Sequence, residues 1–176
     1  MPPCRASVAS LVAILCLGVL CSAGCKKKSE EVDGRTLEEW IAASSGSDAK
    51  LRLKAYVALR SWSKERSAQE AVLTAVRQSN YASPERYTAA LNFFRMTGKA
   101  DDLIEPVQAA ITSQFSGTVK NQSTKELEDL IFWLEARAKP LIPTLKQARS
   151  SLGGQDPASV NARAGLTRVI KSIPDQ

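Results

Sequence analysis

Apolar residues recur every three to four positions from residue 36 to the end of the chain, and no segment there alternates apolar and polar residues as a half-buried strand does. Glycine and proline are few and lie mainly between the periodic segments. This pattern predicts an all-α domain over residues 36–176. It contains eight predicted helices, which begin near residues 36, 48, 68, 84, 101, 124, 141 and 157.

Local chemistry marks where several of these helices begin. Thr36 and Ser123 are each followed three positions later by a glutamate, which predicts two capping boxes. Ser83 precedes Pro84, and Asp156 likewise precedes a proline, as expected for a capping residue followed by proline at the first helical position. The sequence therefore predicts both the helices and their N-terminal ends.

The helices are predicted to form pairs that repeat along the chain. The apolar residues of the fifth helix match those of the third at a shift of 35 positions (103 against 68). The residues that match are Leu103, Val107, Ala110 and Ile111 over Ala68, Val72, Ala75 and Val76. Two-helix repeats with this period are typical of α-solenoids. We therefore expect a short solenoid of about four antiparallel helix pairs, with an irregular helical bundle as the alternative.

Four segments resemble bacterial HEAT-like repeat proteins. Residues 34–41 look like a first helix, and residues 47–55 look like the start of a second helix with Arg52 in the characteristic arginine position. The pattern recurs at 83–89 with Arg86, and less well at 156–164, where Asn161 takes the arginine position. The pair near 124–138 lacks it. The resemblance implies a non-catalytic protein that binds partners on the surface formed by its second helices.

The N-terminal segment has the three parts of a secretory signal. Basic Arg5 is followed by the apolar run 11–21, then by the small residues 22–24 and Cys25. The box Ser22-Ala23-Gly24-Cys25 resembles the signal of bacterial lipoproteins, although Ser22 stands where leucine is usual. The resemblance implies a signal peptide at 1–24, lipidation of Cys25 and a charged tether over 25–35. The domain would then be anchored in the cell membrane or outer membrane, on its extracytoplasmic side.

Two other interpretations of this segment remain open. Cleavage after Ala23 would leave a soluble secreted protein. Alternatively, residues 6–24 are about long enough to span a bilayer without cleavage. Lys26, Lys27 and Lys28 would then favour a cytoplasmic C-terminal domain.

Composition excludes several classes of chemistry. The chain has 176 residues, no histidine, and no cysteine after Cys25. The helical domain therefore cannot carry a Ser-His-Asp triad, a cysteine nucleophile, a thiolate or histidine zinc site or a disulfide. Two Ser-x-x-Lys sequences, at 47–50 and 61–64, lack the other elements of serine acyl-enzymes. We expect no enzymatic activity, metal or cofactor.

The net charge of +6 belongs largely to the N-terminus. Arg5 and Lys26–Lys28 account for four of the 24 basic residues, so residues 29–176 carry 20 basic and 18 acidic side chains. Such a balance argues against nucleic-acid binding, which requires a basic surface on the folded domain.

One local cluster of cations is a candidate binding surface. Lys50, Lys54, Arg60 and Lys64 lie in one predicted helical region, with Arg52 and Arg66 nearby. They form either an ordinary solvated face or a patch for an anionic partner or the lipid surface. Trp40, Trp62 and Trp133 are expected in the core. Phe132 and Trp133 are the aromatic residues expected to be partly exposed, because four consecutive apolar residues cannot all face one side of a helix.

These observations predict a membrane-anchored scaffold that binds an unidentified protein of the cell envelope. The alternatives are a structural or self-associating envelope protein and an accessory subunit of an envelope enzyme.

Overall fold

The computed structural model describes residues 31–116 and 123–174, and in these residues the chain is helical apart from turns and one isolated bridge. The all-α prediction is confirmed. The α-helices are α1 (Leu37–Ser44), α2 (Ala49–Ala58), α3 (Arg66–Arg77), α4 (Ser83–Thr97), α5 (Asp101–Phe115), α6 (Lys125–Leu134), α7 (Ile142–Ser151) and α8 (Pro157–Ser172). Two 3₁₀ helices, Leu59–Trp62 and Glu135–Leu141, follow α2 and α6. The predicted signal peptide and Cys25 lie outside the described residues.

The α-helices form two layers. In the first-helix layer α1 contacts α3, α3 contacts α5, and α5 contacts α7; in the second-helix layer α2, α4, α6 and α8 contact one another in the same order. Helices within a layer run parallel. Along α5 and α7, for example, Gln108 Nε2 donates to Pro140 O near the start of α7, and Ser151 Oγ donates to Phe115 O at the helix ends.

The hydrophobic core lies between these layers. Alanines and branched aliphatic residues dominate it, which lets the helices approach closely. The largest side chains with almost no exposure are Tyr56, Tyr87, Leu59, Leu103, Ile111, Leu127, Leu130, Ile131, Leu134, Leu141, Leu145 and Leu166. Every one of these helices therefore buries one face and leaves another at the surface.

Two of the predicted N-terminal caps are present. Thr36 and Glu39 form the reciprocal capping box, with Thr36 N donating to Glu39 Oε2 over 2.8 Å and Glu39 N to Thr36 Oγ1 over 3.4 Å. Asp156 accepts a hydrogen bond from Ser159 N over 3.0 Å. The hydrogen bonds that Ser159 donates lower the pKa of the Asp156 carboxyl.

The other two predicted caps are wrong. Ser83 is already the first residue of α4, and its hydroxyl donates to Ala110 O on α5, 3.0 Å away. At α6 the N-cap is Thr124, whose side chain makes no capping bond. Ser123 Oγ accepts a bond from Lys125 N over 3.3 Å and donates to the Glu126 carboxylate over 3.2 Å, so the reciprocal capping box does not form.

A tight turn precedes α1. Val32 and Arg35 exchange two backbone hydrogen bonds of 3.0 and 3.1 Å, and the two residues between them, Asp33 and Gly34, both have positive φ. Trp40 Nε1 donates to Val32 O over 2.8 Å, and the Arg35 guanidinium lies 4.9 Å from the centre of the Trp40 ring. These residues fall in the segment assigned to the tether, so the folded part of the chain begins by Val32.

In three places an arginine of α2, α4 or α8 binds backbone carbonyls at the end of the preceding helix or just after it. Arg52 Nη1 donates to Gly46 O and Ser47 O, over 2.8 and 2.9 Å. Arg86 Nε donates to Val76 O over 2.8 Å. In the last pair the predicted position, Asn161, is exposed, and Arg163 Nη1 makes the equivalent bond to Leu152 O over 2.5 Å. Arg86 and Arg163 thereby satisfy carbonyls that a helix C-terminus leaves without partners, whereas Arg52 satisfies carbonyls of the loop between α1 and α2.

Candidate interaction surface

The outward face of the second-helix layer is a candidate interaction surface. On α2 the exposed side chains of Lys50, Lys54 and Val57 follow one another at helical spacing. Leu91 and Arg95 occupy the corresponding face of α4, which packs beside α2. We call these five residues the outward face. It combines basic and apolar groups.

The structure divides the predicted basic patch. Lys50 and Lys54 lie on the outward face, whereas Arg60 lies in the first 3₁₀ helix and Lys64 in the turn after it. All four side chains are exposed. From the rise per residue of the two helix types, Lys50 and Lys64 are separated by about 20 Å along the axis. The four cations therefore cannot bind one small anion together.

The two arginines near that patch have other roles. Arg66 is exposed and pairs with Glu70 one helical turn away, Nε to Oε1 2.6 Å. Arg52 is buried and pairs with Glu85 of α4, with bonds of 2.6 and 2.8 Å from Nε and Nη2. Its guanidinium also lies 4.3 Å from the centre of the Tyr81 ring. Arg52 therefore joins α2 to α4 and is not available to a partner.

The network around Arg52 is a cluster of titratable groups, but its members already have partners. Tyr56 donates to Glu85 Oε1 over 2.9 Å, and the hydrogen bond with Glu85 raises the pKa of Arg52. Burial raises the pKa of the Tyr56 hydroxyl well above its usual range. Both carboxylate oxygens of Glu85 accept bonds within the protein. The network consequently holds two helix pairs together and offers no free acid or base.

Burial also shifts two groups on α4. It lowers the pKa of Arg86, whose guanidinium donates to backbone carbonyls of Val76 and Pro106. It raises the pKa of Tyr87, whose hydroxyl donates to Gln114 Oε1 over 2.8 Å. These bonds connect α4 to α3 and α5. Like the Arg52 network, they stabilise the packing between helix pairs.

A second exposed feature lies where α4 and α6 end. Phe132 is 72% exposed and Trp133 45% exposed, with the two rings edge to face at 6.3 Å. The Arg95 guanidinium lies 4.4 Å from the centre of the Trp133 ring, and that of Arg137 lies 5.5 Å from the Phe94 ring. We call Phe132, Trp133, Arg95 and Arg137 the aromatic corner.

The aromatic corner partly corrects the sequence analysis. The expected exposure of Phe132 and Trp133 is confirmed, and so is the burial of Trp40 and Trp62. The expectation that Trp133 belongs to the core is wrong. Leu130, Ile131 and Leu134 already fill the inner face of α6, so Trp133 is turned towards the end of α4. The run of four apolar residues was the signal in the sequence.

Other candidate sites are small or absent in the described residues. A groove between α6 and α8 beside Phe132 is lined by Glu128, Asp129, Phe132, Arg168, Val169 and Ser172. Across residues 31–116 and 123–174, no three acidic or cysteine side chains cluster closely enough to hold a metal ion. Within the same ranges no helix has both the length and the apolar character needed to cross a bilayer.

No family model, curated protein sequence or solved structure matches this chain. The exposed surfaces described above therefore carry the information about function.

Proposed function

We propose that this chain is a short α-solenoid, held at a membrane by its N-terminus, that binds a protein partner on the outward face of the second-helix layer. Two features support the solenoid. The helices stack in two layers of parallel helices, and arginines of α2, α4 and α8 each bind backbone carbonyls at the end of the preceding helix or in the loop after it. Solenoids of this type bind partners along the surface that their stacked helices form.

The observation that carries the binding proposal is the composition of the outward face. Val57 is 53% exposed and follows Lys50 and Lys54 at helical spacing on the same side of α2. On α4, Leu91 adds an apolar side chain to the outward face and Arg95 adds a basic one. An acidic segment with one apolar side would complement this face, because it would bury the aliphatic groups and pair with the cations at their rim.

The membrane part of the proposal depends on the N-terminal sequence. An anchor at Cys25 would confine the domain to one membrane surface and raise the effective concentration of neighbours on that membrane. A partner on that membrane could then stay bound although each individual contact is weak. The role is non-catalytic: the domain holds a partner near the membrane.

Charge reversal tests which surface binds. Crosslinking in intact cells, followed by purification of the tagged protein from solubilised membranes, would identify the proteins held by the full chain. We expect one dominant partner, which is lost in Lys50→Glu/Lys54→Glu. The matched control is Arg77→Glu/Lys146→Glu, which reverses two exposed cations of the first-helix layer.

The proposal fails if the control and the Lys50/Lys54 variant lose the partner equally, because the effect would then be one of net charge. It also fails if the protein captures only further copies of itself.

A further inference from the structure

The N-terminal segment leaves the domain at the end where the helices of the second-helix layer finish. Val32 is held against Trp40 in the first turns of α1, and α1 contacts the 3₁₀ helix that follows α2. The contact of Arg95 with Trp133 shows that α4 and α6 finish side by side. Ser172, the last residue of α8, lines a groove with Phe132. We call this the proximal end of the domain.

The distance from Cys25 to the proximal end is limited by the chain itself. Only seven Cα–Cα steps separate Cys25 from Val32, and they span at most about 25 Å. If the chain is attached to a bilayer at or before Cys25, as the proposed function holds, the proximal end lies close to that bilayer. Neighbouring helices are about 8–10 Å apart, so a modest tilt brings the aromatic corner to the same surface.

The aromatic corner has the chemistry of a membrane interface. Exposed Trp and Phe side chains favour the boundary between head groups and acyl chains, because the rings are apolar and the indole N–H can still find a polar partner. Arg95 and Arg137 lie over aromatic rings beside them. An arginine guanidinium can stack on an aromatic ring and still present N–H donors to phosphates. The aromatic rings would gain little free energy from facing only water.

At the proximal end, the exposed charges of the second-helix layer are mainly positive. Exposed cations at the C-terminal ends of the second helices include Arg60, Lys64, Lys99, Arg137 and Lys171, and the acidic residues among them are Glu65 and Glu135. The other acids at this end, Glu31, Asp33, Glu38, Glu39, Asp101 and Asp102, lie before α1 or in the first turns of α1 and α5. A tilt that lowers the second-helix layer therefore brings more cations than carboxylates to a surface.

We propose that the proximal end of the domain rests on an anionic phospholipid surface, with Phe132 and Trp133 at the head-group boundary and Arg95, Arg137 and Lys171 on the phosphates. The contact fixes the orientation of the domain and leaves Lys50 and Lys54, which lie farther from the proximal end than Val57 does, facing the space above the membrane. Lipid contact and the Lys50 and Lys54 part of the outward face thus use different parts of the second-helix layer, and Arg95 belongs to both surfaces. This inference depends on the membrane attachment in the proposed function.

Tryptophan fluorescence tests the contact directly. Trp40 and Trp62 are buried, whereas Trp133 is exposed. The full chain is reconstituted into phosphatidylcholine vesicles with or without phosphatidylglycerol, using lipids brominated on the acyl chains as quenchers. We expect quenching in the anionic vesicles that is lost in Trp133→Phe. We also expect it to be lost in Arg137→Glu/Lys171→Glu and retained in the control Arg77→Glu/Lys146→Glu.

Co-sedimentation with the vesicles separates this inference from the anchor. A chain that sediments with the vesicles while Trp133 is unquenched would keep the anchor and overturn the proximal contact. Equal quenching in uncharged vesicles would overturn it too, because the cations would then be irrelevant. A blue-shifted but unquenched Trp133 would assign the aromatic corner to a protein contact between copies. A chain that does not sediment would overturn both proposals.

Discussion

At the scale of single residues, the ion pair of Arg52 and Glu85 links α2 directly to α4. Its geometry is bidentate, and both side chains are about nine-tenths buried. A buried pair of this kind contributes little beyond a well-packed apolar pair, because both charges must leave water. Removing one partner alone is costly, since it leaves the other charge buried without compensation. The pair therefore makes a sharp test of the packing.

We expect Glu85→Ala to destabilise the domain by about 3–5 kcal/mol. The double variant Arg52→Met/Glu85→Leu should recover most of that loss, because no uncompensated charge remains. Denaturant unfolding measures both. The control is Glu70→Ala in the exposed pair with Arg66, which should cost less than about 1 kcal/mol. Equal losses in Glu85→Ala and Glu70→Ala would contradict the buried position of Glu85.

Tyr87 should make the domain sensitive to alkaline pH. Burial raises its pKa in the folded state, whereas in the unfolded chain the phenol titrates near its ordinary value of about 10. Above that pH the unfolded state loses the proton first. Folding stability contributed by the neutral phenol is therefore complete below about pH 10 and falls, by up to about 1.4 kcal/mol per pH unit, as pH rises towards the folded pKa.

Thermal unfolding at increasing pH checks this expectation. Tyr87→Phe should be less stable at neutral pH, because the bond to Gln114 is lost. Its further decline above about pH 10 should be shallower than that of the original chain, because one buried phenol no longer titrates. If the two curves run parallel through the alkaline range, Tyr87 is not the group responsible.

Which residue-scale features could be read from the sequence depends on the range of the interaction. The Thr36 and Asp156 caps were predictable, because their partners are three residues away. The Ser83 hydroxyl bonds Ala110, 27 residues later, and only the packing of α4 on α5 creates that choice. The prediction that Trp133 lies in the core was wrong for the same reason, because the arginine that contacts its ring belongs to another helix.

At the scale of helices, α6 and α8 pack at a point where only glycine fits. A Cβ on Gly165 would lie 2.9 Å from the Cβ of Thr124 and 2.8 Å from its Cγ2. No side chain can be accommodated there without a shift of the helices. Close backbone approach thus explains a residue that otherwise weakens a helix interior. It also fixes how far along α6 the parallel helix α8 can lie.

We expect Gly165→Ala to destabilise the domain, although alanine in a free helix would be about 1 kcal/mol better than glycine. The clash with Thr124 should cost about 1–3 kcal/mol, as overpacking does. Gly153→Ala is the control, because nothing lies within 4 Å of its added Cβ. Denaturant unfolding curves of the two variants measure the difference in stability. A stabilised Gly165→Ala would show that α8 does not approach α6 this closely.

Helix identity was largely predictable and helix faces were less so. The 3.6-residue spacing identified all eight α-helices. The helix predicted to begin near residue 48 is α2 followed by a 3₁₀ helix, because the chain must turn at once into α3. In α4, Tyr87, Ala90 and Phe94 fill the inner stripe, and Leu91 packs against its edge and is only partly buried. Periodicity locates a stripe; its edges depend on neighbours that the sequence does not specify.

At the scale of the whole molecule, the candidate surfaces follow from stacking. Lys50 and Lys64 look like one patch in sequence, but α2 separates them along its axis. Arg95 and Trp133 are 38 positions apart, and the parallel packing of α4 on α6 brings them into contact. The sequence predicted the exposed cations and aromatic residues. It could not predict which of them share a surface, because that depends on the register between helix pairs.

The proposed membrane anchor concerns the whole chain, and Cys25→Ser tests it. If Cys25 carries the lipid, the variant should leave the membrane fraction and lack the added mass of the acyl chains. Each buried methylene contributes about 0.8 kcal/mol to membrane binding, so losing several chains removes stable attachment. Cys21→Ser is the matched control and should remain bound. Retention of Cys25→Ser with unchanged mass would instead favour residues 6–24 as an uncleaved span. Because Val32 is still only a few residues from the bilayer in that case, the proximal contact of Trp133 would survive the change of anchor.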